Sequence, residues 1–77
     1  MNKARRARLD ALNTDLHNLQ AALSEVRDEE QEAFDNLPES LQSGEKGQAM
    51  SEAADCMESA HDSIGEAIDS LAPVLGY

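Results

Sequence analysis

At 77 residues, 40% of them hydrophobic and with one Phe, one Tyr and no Trp, the chain is one small domain whose core must be aliphatic and Ala-rich. Its single cysteine, Cys56, excludes an internal disulfide, and no Cys/His spacing suits a structural zinc, so self-association is the remaining way to reinforce so small a core. The net charge of −10 divides into +2 over residues 1–27 and −12 over residues 28–77, a field that repels nucleic acid and membrane surfaces over most of the molecule and favours basic partners.

The basic start, "MNKARRAR", resembles the n-region of a signal peptide, but no apolar stretch follows it. Nor does any apolar run approach the roughly 20 residues needed to span a bilayer. The expectation is a cytoplasmic protein with no membrane contact. Four cations in "NKARRAR" could touch phosphates, yet no aromatic residues interleave them and the body behind them is acidic, so direct nucleic-acid binding is not expected.

Leu9, Leu12, Leu16, Leu19, Leu23 and Val26 follow in alternating steps of three and four, the a/d pattern of a coiled-coil seam. Continued downstream, the seam takes Glu30, Ala33 and Leu37. Asn2 is placed to cap a first helix, and Pro38 disfavours helical geometry at Leu37. The spacing predicts a helix over about residues 3–36, roughly 50 Å long. His17 falls at b of this heptad and is expected on the surface.

A corner is predicted over residues 37–44. Asn36-Leu37-Pro38-Glu39 has the form of a capping box opening a short helical turn through Leu41. Phe34, Leu37 and Leu41 would plug the end of the core. Ser43 could cap the next helix, with Gly44 and Gly47 permitting the reversal.

A second helix is predicted over about residues 45–71, followed by a tail at 72–77. Its seam is Met50, Ala53, Met57, Ala60, Ile64, Ala67 and Leu71, alternating large and small and continued by Val74 in the tail. Gly65 interrupts this helix at a cost of up to about 1 kcal/mol relative to Ala. The fold class that follows is all-α: an antiparallel two-helix hairpin, coiled-coil-like, dimerising into a four-helix bundle.

Chemistry has few candidates. Glu58 and His61 match the Glu-x-x-His spacing of di-iron carboxylate bundles, with Glu30 as a third ligand. With Met57 at a, however, Glu58 falls at b, on the solvent side. Cys56 falls at g, flanking the seam. No serine has a His/acid pair suited to hydrolysis, and no Gly-rich loop could cradle phosphate. The residues therefore assign no catalytic group, no cofactor and no metal.

The acids around the corner do need an explanation. Asp28, Glu29, Glu30, Glu32 and Asp35 crowd the C-terminal end of the first helix, where like charges repel and the helix dipole disfavours anions. The basic cluster Lys3, Arg5, Arg6 and Arg8 is equally misplaced at its N-terminal end. Helix stability accounts for neither cluster. Asp28, Glu29, Glu32, Asp35, Asn36 and Glu39 are accordingly the candidate partner-binding residues.

"RDEEQEAFDNLPESLQSGEKG", followed by an acidic helix containing "EAIDSL", resembles a group of short acidic helical proteins of phages and other mobile elements. In these a Leu-heptad helix runs into an EEQEx[FY]DN[LM]PE[SN]LQ motif. The likeness covers most of residues 16–71 and brings no activity or site with it. It implies an accessory protein that acts by binding. The functional expectation is a non-enzymatic, homodimeric protein–protein interaction module whose acidic surface meets a basic host or self-encoded protein, including inhibition of nucleic-acid-handling machinery by phosphate mimicry. A self-assembling coiled-coil adaptor and a metal-binding, ferritin-like bundle are the alternatives.

Overall fold

A computed structural model describes residues 1–76 and is entirely helical in its regular elements: α1 (Lys3–Asp35), α2 (Glu39–Gln42) and α3 (Glu45–Leu75). The long helices α1 and α3 pack along each other, in a rod 58 × 16 × 15 Å. The radius of gyration of 17.3 Å exceeds the roughly 11 Å of a compact chain of this length. With one stripe per helix to bury, no side chain among the described residues is fully enclosed. Ala54 and Leu75 are the buried hydrophobic residues.

The first helix begins as its sequence predicts. Asn2 is extended at the N-cap, and its side-chain oxygen accepts from the Arg5 amide at 2.9 Å. Contacts between the helices fall in opposite chain order. Arg6 Nη1 donates to the Leu75 carbonyl at 3.4 Å, Gln20 Nε2 donates to the His61 carbonyl at 3.4 Å, and Arg27 is ion-paired with Glu58.

The seam these contacts define is not the leucine seam itself. On α1 the residues turned towards α3 include Leu9, Asn13, Leu16, Gln20, Leu23, Arg27, Glu30 and Phe34, again in steps of four and three. Leu9, Leu16 and Leu23 belong to both series, whereas Leu12, Leu19 and Val26 give way to Asn13, Gln20 and Arg27. On α3 the inward series is Gly47, Met50, Ala54, Met57, His61, Ile64, Ile68, Leu71 and Leu75. There Met50, Met57, Ile64 and Leu71 are common to both, and Ala53, Ala60, Ala67 and Val74 lie one position aside. Two of the polar inward residues of α1 are held by α3 itself, Gln20 through a carbonyl and Arg27 through a carboxylate. Asn13 is not: it is buried, and its side-chain oxygen has no hydrogen-bond partner.

The corner differs in detail from its sequence reading. Asn36 is not the N-cap of the short turn. Its backbone is helical (φ −83°, ψ −6°) and its amide donates to Glu32 and Phe34 carbonyls, so it closes α1. A capping box needs extended backbone at that residue. Pro38 occupies the N-cap of α2, without a side-chain bond. Likewise Gly44 rather than Ser43 is the N-cap of α3, because Ser43 is taken up as the C-cap of α2. Phe34 and Leu37 are half-buried, while Leu41 projects outward and does not plug the core. Gln42 performs the closing instead: its side-chain amide donates to the carbonyls of Phe34 (3.2 Å), which also accepts from the Leu37 amide, and of Leu37 (3.1 Å) at the end of α1.

Beyond the corner, α3 runs to Leu75, four residues past its expected end, with Pro73 inside its last turn. Pro73 removes one helical hydrogen bond, but the extra turn buries Leu75 beside Arg6, which compensates. Gly76 then ends the helix in the left-handed region (φ 79°), its amide donating to Ala72. Tyr77 of the expected tail lies outside the described residues.

Gly47 is the tightest point. A Cβ there would collide with the Gln42 backbone, 2.6 Å from its Cα. Gly47→Ala should therefore cost roughly 1–3 kcal/mol, as overpacking does. Gly65→Ala, which meets only the far end of the Gln20 side chain at 3.0 Å, should stay within about 1 kcal/mol of neutral because helix propensity improves. Urea unfolding followed by circular dichroism distinguishes the two. By the same measurement Asn13→Leu should stabilise the fold by about 1–2 kcal/mol, since it removes a buried acceptor that has no partner.

Candidate functional site

Two surfaces stand out, one charged and one apolar. The charged surface is the corner end of α1. Asp28, Glu29, Glu32, Asp35, Asn36 and Glu39 are all exposed, and Glu30 is half-buried beside the seam. The only basic residue among them, Arg27, is already committed. Its guanidinium donates to Asp28 Oδ1 from Nη2 (2.8 Å) and Nε (3.2 Å), to Ser24 Oγ at 3.5 Å, and pairs through Nη1 with Glu58. Asp35 accepts from the Gln31 amide at 3.1 Å. No basic residue lies in the last turn of α1 to offset the dipole. Among the described residues Glu29, Glu32 and Glu39 have no cationic neighbour within ion-pair distance. The result is an array of solvated carboxylates set on a helix and held at a fixed corner.

The apolar surface was not singled out by sequence as a separate face. Leu12, Leu19 and Val26 are exposed by 55%, 55% and 50%. Each directly precedes an inward residue of α1, just as Ala53, Ala60, Ala67 and Val74 directly precede inward residues of α3. On two helices whose contacts fall in opposite chain order, residues that precede seam positions lie on the same side of the pair. The two stripes therefore form one face. The α3 half is free of charge, carrying only Ala, Ser, Cys and Val from Ala49 to Val74, while the α1 half adds Arg8, Asp15 and Glu29 between its apolar residues. A shallow groove of about 420 Å³ continues it at the α1 end, lined by Met1, Arg5, Arg8, Leu9 and Leu12. The opposite side is polar, with Arg27, Asp28, Gln31, Asp55 and Glu58 lining a second groove together with Ala54. The signal for the apolar face was present as an exact seven-residue repeat of Leu12, Leu19 and Val26, which the inner seam does not use.

The possible metal ligands divide differently from their heptad assignment. His61 is an inward residue of α3, and Glu58 is half-buried through its pairing with Arg27 instead of facing open solvent. One ligand atom each from Glu58, His61 and Asp62 lies within 4.8 Å of the others, with His61 Nδ1 3.2 Å from Asp62 Oδ1. Glu30 is not in that group. With Glu58 bound to a guanidinium, the arrangement is that of an ion-paired surface strip. His17 and Cys56 are exposed, and Cys56 lies beside the inward Met57.

Among the described residues no helix is long and apolar enough to cross a membrane. Comparison with protein-family models, curated proteins and solved structures finds no match for this chain.

The Arg27–Glu58 pair is the one ionic tie between the long helices. Its side chains are 28% and 47% exposed, so solvent screens it. A double-mutant cycle with Arg27→Ala and Glu58→Ala should give a coupling of about 0.5 kcal/mol, most of it lost in 1 M salt.

Proposed function

We propose that this chain is a non-enzymatic protein–protein interaction module: an antiparallel helical hairpin that dimerises into a four-helix bundle and offers the acids of its corner to a basic protein. The carrying observation is the array of exposed carboxylates at Asp28, Glu29, Glu32, Asp35 and Glu39, with Arg27 its sole cation and already bound. Asp28, Glu29, Glu32 and Asp35 lie at the C-terminal end of α1 and oppose its dipole, so local folding does not account for them. Solvated carboxylates spaced along a rigid helix present an anionic ladder to a basic surface, and a nucleic-acid-handling protein is the partner such a ladder suits best by phosphate mimicry. The resemblance of residues 16–71 to short acidic proteins of phages and mobile elements supports an accessory role of this kind, in the cytoplasm and without membrane contact.

A second reading, a self-assembling adaptor whose acids serve only solubility, is favoured by the exposed Leu12, Leu19 and Val26. The two separate on one experiment. Asp28→Asn, Glu32→Gln and Asp35→Asn together should reduce capture of a basic partner at least about tenfold while leaving mass and helicity unchanged, with the captured protein released by DNA or by about 0.5 M salt. Unchanged capture, or release by neither, leaves the adaptor reading in possession.

A further inference from the structure

We infer that the apolar face formed by Leu12, Leu19 and Val26 of α1 and Ala60, Ala67 and Val74 of α3 is where a second copy of this chain docks, head to tail. The inference rests on the dimer proposed above and specifies its face and orientation.

Area gives the first argument. A compact 8.3 kDa monomer exposes about 4,600 Å², whereas this chain exposes 5491 Å². The surplus of about 900 Å² is close to the 800 Å² or so that each partner buries in a standard interface. Among the described residues, four of the six exposed large hydrophobic residues lie on this one face.

Symmetry gives the second. In a two-fold dimer each contact occurs twice, residue i on j and j on i. An axis through Leu19 sets Leu19 on Leu19 of the partner subunit and Leu12 on Val26 of the partner subunit. An axis midway between Ala60 and Ala67 sets those two across from each other and Ala53 across from Val74 of the partner subunit. Within one chain these are the same point, because Gln20 reaches the His61 carbonyl and also borders Gly65. One axis thus serves both stripes.

Charge selects the orientation. The same axis brings Arg8 to Glu29 of the partner subunit and the start of α1 over the acidic end of its neighbour. Among the described residues neither Arg8 nor Glu29 has an ion-pair partner in its own chain. Rotation about the rod's long axis would instead stack the two acidic corners together. The misplaced basic and acidic ends of α1 are thereby explained as one inter-chain complementarity. Asp28 faces the opposite groove and stays available to another protein.

The test uses the full chain. Sedimentation equilibrium should give twice the 8.3 kDa chain mass, and Leu19→Glu should weaken association on the order of 100-fold. In a Cys56→Ser background, Leu19→Cys should cross-link to itself with a bismaleimide spanning about 8 Å. Leu12→Cys should not, since two such residues stand about 21 Å apart at 1.5 Å per residue, but a mixture of Leu12→Cys and Val26→Cys chains should. The cross-linking does not depend on the stability of the Leu19→Glu variant. A monomer at about 100 µM, or a dimer in which Leu19→Cys remains unlinked, overturns the inference. Capture of a basic protein is read separately: a head-to-tail dimer that captures nothing sinks the corner reading alone, and a monomer that captures sinks the dimer and this inference while leaving the corner reading.

Discussion

Two helices of 33 and 31 residues that touch along one stripe each can remove little surface from water, and everything else in this molecule follows from that contact. A helix pair encloses no volume, so a large side chain at the seam is covered on one flank and open on the other. The seam compensates with directional interactions. Gln20 reaches a carbonyl across the interface and Arg27 spans it to Glu58, fixing the axial setting of one helix against the other where hydrophobic packing would leave it loose. Asn13 carries the cost of that choice as a buried oxygen without a partner.

The leucine repeat was readable from sequence because a seven-residue period survives any rotation of the helix. Its phase was not. Pattern alone places Leu12, Leu19 and Val26 inside and Asn13, Gln20 and Arg27 outside, since apolar residues outrank polar ones when partners are unknown. The structure reverses that order at every second step, because α3 supplies an acceptor to Gln20 and a carboxylate to Arg27. The same shift by one residue brings His61 inward and turns Ala60 and Ala67 out.

At the corner the punctuation was legible and the roles were exchanged. Pro38, Gly44 and Gly47 mark the turn correctly, and the short α2 lies where a helical turn was expected. Asn36 could have ended one helix or begun the next, and its side-chain chemistry suits both. What decides is the pair of carbonyls that Gln42 satisfies, a relation between residues five and eight apart that no local motif encodes. The acidic candidates could be named from charge alone, for residue identity sets exposure there. What they would bind could not, because that chemistry would lie in another molecule.

Gly47 gives the corner a further meaning. Because its α-carbon rests directly on the Gln42 backbone, the connection between α1 and α3 has a fixed length as well as a fixed bend. Adding one residue there would advance α3 by about 1.5 Å and turn it by about 100°. That rotation would carry Ala53, Ala60 and Ala67 out of alignment with Leu12, Leu19 and Val26 and bring charged positions of α3 into their place. The corner is thus a phase key: its residue count, more than its chemistry, determines which stripe of the second helix is shown to the outside.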